Sequence, residues 1–208
     1  DLGCGWGSLS LWIAEHFPSA GVTSVSNSSS QREFIMAQAA ERGISNIDVI
    51  VADMNDFDID KRFDRAVSVE MFEHMRNWGE LYRRISGWLK PGGKFFQHVF
   101  CHRTTAYPYE DKGPGDWMSR FFFTGGMMPA ADLPLRFPGH LNIEKRWHWN
   151  GRHYARTCNA WLQKMDSSKQ EIMPVLAACY GDQDASLWWQ RWRIFLMACA
   201  ELFDYDEG

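Results

Sequence analysis

No stretch of this sequence approaches the eighteen or so continuous apolar residues that a membrane-spanning helix needs, and no signal peptide is visible. No basic run occurs either, and the net charge is −4; together these argue against nucleic acid as the main partner. Cysteine is sparse. The five residues Cys4, Cys101, Cys158, Cys179 and Cys199 are scattered, odd in number and without a CxxC pair. They suggest neither a disulfide framework nor a zinc site, and a reducing, cytoplasmic compartment fits. The initiator methionine is missing and the chain opens inside a motif. A parallel sheet needs a strand to deliver Asp1, so the sequence reads as a fragment.

What is present suffices for one domain with a sizeable core: 208 residues, 45% hydrophobic and 23% charged. Aromatics reach 15%, with 11 Trp, and most fall after residue 95. They predict an aromatic-walled pocket or cap in the second half, or else a Trp-rich core.

The chain is organised around Asp1-Leu2-Gly3-Cys4-Gly5-Trp6-Gly7-Ser8-Leu9-Ser10. Glycines at alternate positions let the backbone turn sharply and let a ligand lie against it. The helix that follows points free N–H groups at whatever occupies the turn. A carboxylate at Asp1 would repel a nearby phosphate but suits a hydroxyl or an ammonium. The spacing is GxGxG rather than the GxGxxG of dinucleotide sites. The turn therefore reads as a cradle for a cofactor bearing ribose and amino-acid groups, with an ordinary Gly-rich strand-to-helix turn as the plainer alternative.

Beyond the turn, helix alternates with strand: helix 7–17, strand 21–26, helix 31–42, strand 47–52, strand 63–69, helix 78–89 stopped by Pro91-Gly92-Gly93, and strand 94–101. This predicts a parallel, doubly wound α/β sheet with its ligand at the carboxyl ends of the strands. Asp1, Ser26, Asp53 and Glu70 all fall at such ends and should line one crevice. After Cys101 the rhythm breaks into an insertion rich in Pro and Gly that also carries Trp117, Phe121, Phe122 and Phe123. Residues 141–149 suggest another strand, and 154–165, 169–180 and 184–203 suggest helices. The last is apolar nearly all round and reads as buried. The division expected is an α/β core at 1–102 and, in the same domain, an insertion with a helical substrate-binding part at 103–208.

Residue chemistry refines the crevice. Ser26 and Asn27 stand where nucleotide-binding folds place an acid for ribose hydroxyls, although helix capping explains them equally well. Asp53 could accept from an adenine amino group and Met54 could cover the ring; capping a turn is the alternative for Asp53. Glu70, Glu73 and His74 follow an apolar strand directly. Three titratable groups within five residues perturb one another, as acid–base sites require. An amine acceptor must lose a proton before its lone pair can attack an electrophilic methyl, and a carboxylate or imidazole can take it.

The DLGCGWG turn, Ser26-Asn27-Ser28, Val69-Glu70-Met71-Phe72-Glu73-His74-Met75, Phe121-Phe122-Phe123-Thr124-Gly125-Gly126 and His153-Tyr154-Ala155-Arg156-Thr157 together resemble the class I S-adenosylmethionine-dependent methyltransferases. Within that class they are similar to the branch of cyclopropane-fatty-acyl-phospholipid synthases and coclaurine-type N-methyltransferases. The resemblance runs from residue 1 to about 203. It implies a Rossmann-like methyltransferase sheet with an aromatic-rich insertion on the substrate side, and with the first and last strands missing from the fragment. It implies S-adenosyl-L-methionine held by Asp1, Gly3, Gly5, Trp6, Gly7, Ser26, Asn27, Gln31, Asp53 and Met54. It gives the catalytic roles to Glu70, Glu73 and His74. In cyclopropane synthases, Glu73, His98 and Tyr154 match residues that hold a bicarbonate base. The expected function is methyl transfer to the nitrogen of a small amine, with methylene transfer to a lipid acceptor as the alternative and a non-catalytic cofactor-binding scaffold as the reading from another class.

Overall fold

The computed structural model describes residues 1–206 and Gly208. The chain divides into two compact units, Asp1–Ile143 and Glu144–Gly208.

The first unit contains helix α1 (Ser8–His16), strand β1 (Val22–Ser26), helix α2 (Ser29–Glu41), strands β2 (Ile47–Val51) and β3 (Phe63–Val69), helix α3 (Trp78–Trp88) and strand β4 (Leu89–His98). β1 pairs in parallel with β2, with Ser26 opposite Val51, and β3 pairs in parallel with β4, with Val69 opposite His98. Residues 1–3 lie between these pairs. Leu2 N donates to Val67 O (2.8 Å), Gly3 N to Val25 O (3.0 Å) and Val25 N to Asp1 O (2.9 Å). The order is therefore β2–β1–(1–3)–β3–β4, and the carboxyl ends share one edge. This is the doubly wound, Rossmann-like α/β arrangement expected from the alternating pattern.

α3 shows how the packing follows from the sequence. Its residues Trp78, Leu81, Tyr82, Ile85 and Trp88 recur at helical spacing and are all buried, so one apolar stripe faces the core, Arg83 faces outward, and Glu80 and Arg84 lie at the stripe's flank. The strand after it differs from expectation. Leu89 already pairs with Phe63, the register shifts, and Lys94 pairs with Arg65. Pro91-Gly92-Gly93 is thus an irregularity inside β4 rather than the gap before it, with Gly92 at φ 76°, and the strand ends at His98, short of Cys101.

The insertion folds onto the same unit through the short antiparallel pair β5 (Tyr107–Pro108) and β6 (Met127–Met128), with helix α4 (Trp117–Phe121) between them. His102 N donates to Pro129 O and Ala131 N to His102 O. These bonds tie the insertion to the first unit, whose boundary falls at 143/144. Residues 141–150 form no strand.

The second unit holds helices α5 (Arg152–Ser167), α6 (Lys169–Tyr180) and α7 (Ala185–Asp204). Ala155, Cys158 and Ala200 form its small-residue contact, and Tyr180 stacks on Trp188 with centroids 3.9 Å apart. α7 departs from the expected all-round burial. Trp188, Trp189 and Phe195 are buried, but Leu187, Ile194, Met197 and Leu202 are exposed. Within this unit α5 and α6 are too few to cover a whole helix circumference.

Candidate active site

The turn after Asp1 is built as its glycines predict, but they do different things. All three have left-handed φ, at 79°, 53° and 78° for Gly3, Gly5 and Gly7. A Cβ on Gly3 would strike the Met71 side chain, and one on Gly7 would strike Ile35. Those two let the turn pack closely against the segment after β3 and against α2. A Cβ on Gly5 would meet nothing within 4 Å, so the Gly5 backbone faces open space, as a ligand cradle requires. Trp6 is exposed beside it and stands edge-on to Phe34 (5.3 Å, 90°).

At the end of β1, Ser26 Oγ donates to Gln31 Oε1 (2.5 Å) and accepts from Ser28 N (3.1 Å). Ser28 caps α2 by accepting from Gln31 N. Two of the residues expected near a ribose are thus joined to each other, and Asn27 beside them is exposed. At the end of β2, Asp53 is exposed and its Oδ1 accepts from Asn55 N (2.8 Å) and Asn55 Nδ2 (3.0 Å). Met54 is buried in the core with Phe57, Trp78 and Trp88. The structure thus gives Asp53 a turn-capping bond and Met54 a packing role.

Sequence reasoning overlooked what holds this loop. Arg84 Nη1 donates to Asn55 O (2.7 Å), Phe57 O (3.2 Å) and Met54 O (3.5 Å), while Glu80 grips the same guanidinium at 2.8 Å. Trp88 Nε1 donates to Asp58 Oδ1 (2.7 Å). Glu80, Arg84 and Trp88 are spaced i, i+4, i+8, so one face of α3 holds the loop. That spacing was the available signal.

The other half of the edge is dense in titratable groups. Glu70 ends β3 with φ 54°, a left-handed conformation that costs a non-glycine residue about 1–3 kcal/mol. Two contacts to β4 hold it: Glu70 N donates to His98 O (3.0 Å), and the Glu70 carboxylate meets His98 Nδ1 at 2.9 Å. The chain then enters the short helical turn Phe72–His74. Phe72 is fully buried, and Trp78 Nε1 donates to both Phe72 O and Met75 O at 3.0 Å. That indole fixes the turn and was also overlooked.

Glu73 is 2% exposed, and its Oε2 meets no hydrogen-bond partner among the described residues. Burial, and then the neighbouring Glu70 charge, push its pKa up to about 8. Burial thus favours the protonated form of Glu73. His74 is open to solvent on one side and stacks on Phe123 on the other (5.6 Å, 28°). Desolvation lowers its pKa, with Glu70 opposing, so the imidazole is neutral and free to accept a proton. Arg76 donates to Gly126 O and Tyr109 O, pinning the insertion to this turn. Gly126 has no room for a Cβ, which would lie 2.6 Å from Glu73 O. Phe100 and Tyr109 complete an aromatic wall around Phe123.

Glu70, Glu73, His74 and His98 are thus brought together at one sheet edge, beside the glycine turn, where Gly3 abuts Met71. Tyr154 lies in the second unit, stacked flat on Phe203 (4.4 Å, 7°).

Over residues 1–207 the chain matches the mycolic acid cyclopropane synthetase family. The chain belongs to that family. Among relatives of this cyclopropane synthetase family member, an (S)-coclaurine N-methyltransferase of Thalictrum flavum subsp. glaucum is 36% identical over 212 residues, covering all of this chain and 59% of that protein. A cyclopropane-fatty-acyl-phospholipid synthase of Escherichia coli K12 is 27% identical over 205 residues, 98% of this chain and 49% of that protein. The crystal structure of a coclaurine N-methyltransferase bound to N-methylheliamine and SAH superposes with a TM-score of 0.92 at 34% identity, covering 100% of this chain and 63% of that one. A cyclopropane synthase of Mycobacterium tuberculosis shares the fold, with a TM-score of 0.73 at 22% identity over 97% of this chain and 72% of that one. The chain spans about three fifths of the length of the N-methyltransferases it matches. No helix among the described residues is long and apolar enough to cross a membrane.

Proposed function

We propose that this chain is the cofactor-binding and proton-handling part of an S-adenosylmethionine-dependent N-methyltransferase acting on a small amine. The observation that carries the reading is the gathering of Glu70, a buried Glu73 and a solvent-facing His74 at one short turn on the sheet edge. An ammonium needs a negative site to bind and a neutral base to give its proton to, and Glu70 and His74 supply these. The N-methyltransferase relatives, more similar to this chain than the lipid synthases reported beside them, point the same way.

The residues present fit the cofactor. Gly5 presents bare backbone to open space, and Asp1 offers a carboxylate to an amino group. Ser26, Asn27 and Gln31 offer hydrogen-bonding groups to ribose hydroxyls, and Asp53 has carboxylate oxygen to offer an adenine amine. Bound there, S-adenosylmethionine supplies an electrophilic methyl group on a sulfonium. The chain does the rest. Glu70 attracts the substrate ammonium, and His74 takes one proton from it so that the nitrogen lone pair is free for in-line attack. Glu73 keeps its own proton and can donate a hydrogen bond without competing for the substrate's. Phe123 holds the His74 ring in plane.

The test uses S-adenosylmethionine labelled in its methyl group, the intact protein, a panel of secondary benzylic amines, and vesicles of unsaturated phospholipid. Label is expected on nitrogen. Label found as a ring methylene in acyl chains, with no amine turned over, would make the protein a cyclopropane synthase. Glu73, His98 and Tyr154 would then be the residues to examine for holding bicarbonate.

A further inference from the structure

Two buried hydroxyls have no place in the chemistry above. Ser10 on α1 and Ser24 on β1 are both 0% exposed. A hydroxyl taken out of water costs free energy unless it is paired, and a serine inside a helix ordinarily bonds back to its own turn. Ser10 does neither. Ser24 Oγ donates to Ser10 Oγ (2.8 Å), and Ser10 Oγ donates to Asp1 Oδ2 (2.6 Å). Each hydroxyl has a single proton to give, so the chain of donors runs one way and ends on the carboxylate. The short final bond is what a charged acceptor produces.

We infer that Ser24 and Ser10 form a positioning relay that locks the Asp1 carboxylate. It commits Oδ2 to the protein interior and presents Oδ1 to the ammonium of the cofactor's amino-acid end. The inference rests on the cofactor reading above and adds to it two residues that never touch the ligand. Asp1 precedes the isolated bridge of Leu2 to Val25, and the relay ties its side chain to two neighbouring elements, β1 and the first turns of α1. A carboxylate free to rotate would lose orientational freedom on each binding event; a locked one has lost it already. Both hydroxyls are shielded, so solvent cannot replace a missing donor easily.

The relay predicts selectivity for one end of the ligand, which a general packing role does not. S-adenosylhomocysteine carries the amino-acid end, whereas 5′-methylthioadenosine has the same adenosine and thioether without it. Calorimetric titration of the intact protein should show Ser10→Ala weakening S-adenosylhomocysteine about 10- to 150-fold, the range of one hydrogen bond to a charged group. 5′-Methylthioadenosine should change by less than about twofold. Ser24→Ala, one bond further out, should act in the same direction and less, and Ser10→Cys should fall between wild type and Ser10→Ala. In an Asp1→Asn background Ser10→Ala should add little, because the relay acts only through that carboxylate. Equal loss of both ligands, or loss of neither, overturns the relay while leaving the cofactor reading intact. If wild type binds neither ligand, the cofactor reading itself fails. Should Ser10→Ala not fold, Ser24→Ala and Ser10→Cys decide by the same ratio of the two affinities.

Discussion

The two halves of the carboxyl edge are built to opposite specifications. Around β1 and β2 the polar side chains are short, and most are satisfied by neighbours: Ser26 by Gln31, Ser28 by the start of α2, Asp53 by Asn55. Around β3 and β4 they are ionisable and crowded, with Glu70 at a left-handed φ, Glu73 protonated in a buried position and His74 partly desolvated. A hydrogen-bonded surface can hold a cofactor without changing its chemistry. A crowded, partly dry carboxyl cluster costs stability and is arranged to move a proton. On the proposed function one edge separates binding from reaction, and experiments that shift one half should leave the other in place.

The largest effect expected is in the reactive half. Replacing Glu73 and His74 together with Ala should lower kcat roughly 10²–10⁴-fold, the range for losing one proton-transfer role, with cofactor affinity nearly unchanged. A rise in cofactor Kd matching the loss of kcat would erase the division between the halves. Next comes the binding half. Gly5→Val places a branched side chain, at φ 53°, in the space where a ligand would touch backbone. Calorimetry should show affinity for S-adenosylhomocysteine reduced by about 100-fold or more, the cost of strain plus lost contact, about 3 kcal/mol. Unchanged affinity would show that the open space before Gly5 is not the cradle.

Arg84→Ala tests the support beneath the binding half. It removes a charged donor from three carbonyls of the 54–57 loop. The cofactor KM should rise about 5- to 30-fold, in line with about 1–2 kcal/mol of lost loop anchoring, while kcat holds. A drop in kcat with constant KM would mean that the loop serves the reaction instead.

A last effect falls on stability against pH rather than on turnover. The folded-state pKa of Glu73 is raised, so the folded protein binds a proton that the unfolded chain has released above its ordinary value near 4.5. The contribution is fully present below about 4.5 and lost progressively as pH rises toward about 8. Wild type should lose at most on the order of 1 kcal/mol per pH unit across that window relative to Glu73→Gln, read by chemical denaturation at several pH values. Parallel stability profiles for the two proteins would show Glu73 ionised in the fold.

The strand ends were legible because residue type and spacing are local. Apolar runs closing on Ser26, Asp53 and Glu70 placed those residues on one edge before any contact was known. The glycine turn was legible for the same reason. Arg84, Trp78, Ser10 and Ser24 were not, since each matters through a partner 6 to 30 residues away or, for Ser10, through a side chain nine residues back. α7 misled because its apolar residues encircle the helix, and only neighbours in space decide which of them are covered. The boundary at 143/144 was hidden because the insertion is held by backbone hydrogen bonds, which any sequence can make.

The sequence by itself determined the order of elements, the turn at Gly3, Gly5 and Gly7, and which ionisable groups emerge from β3. Periodicity, backbone freedom and chain proximity act over a few residues and need no fold. Only the tertiary structure decided what those groups are. Whether Glu73 holds its proton, whether His74 is neutral, and whether Asp1 is free or locked depend on burial and on the charges and hydroxyls brought beside them. Electrostatic free energy in a partly dry site changes over a few ångströms, a distance that the fold sets and the sequence does not record.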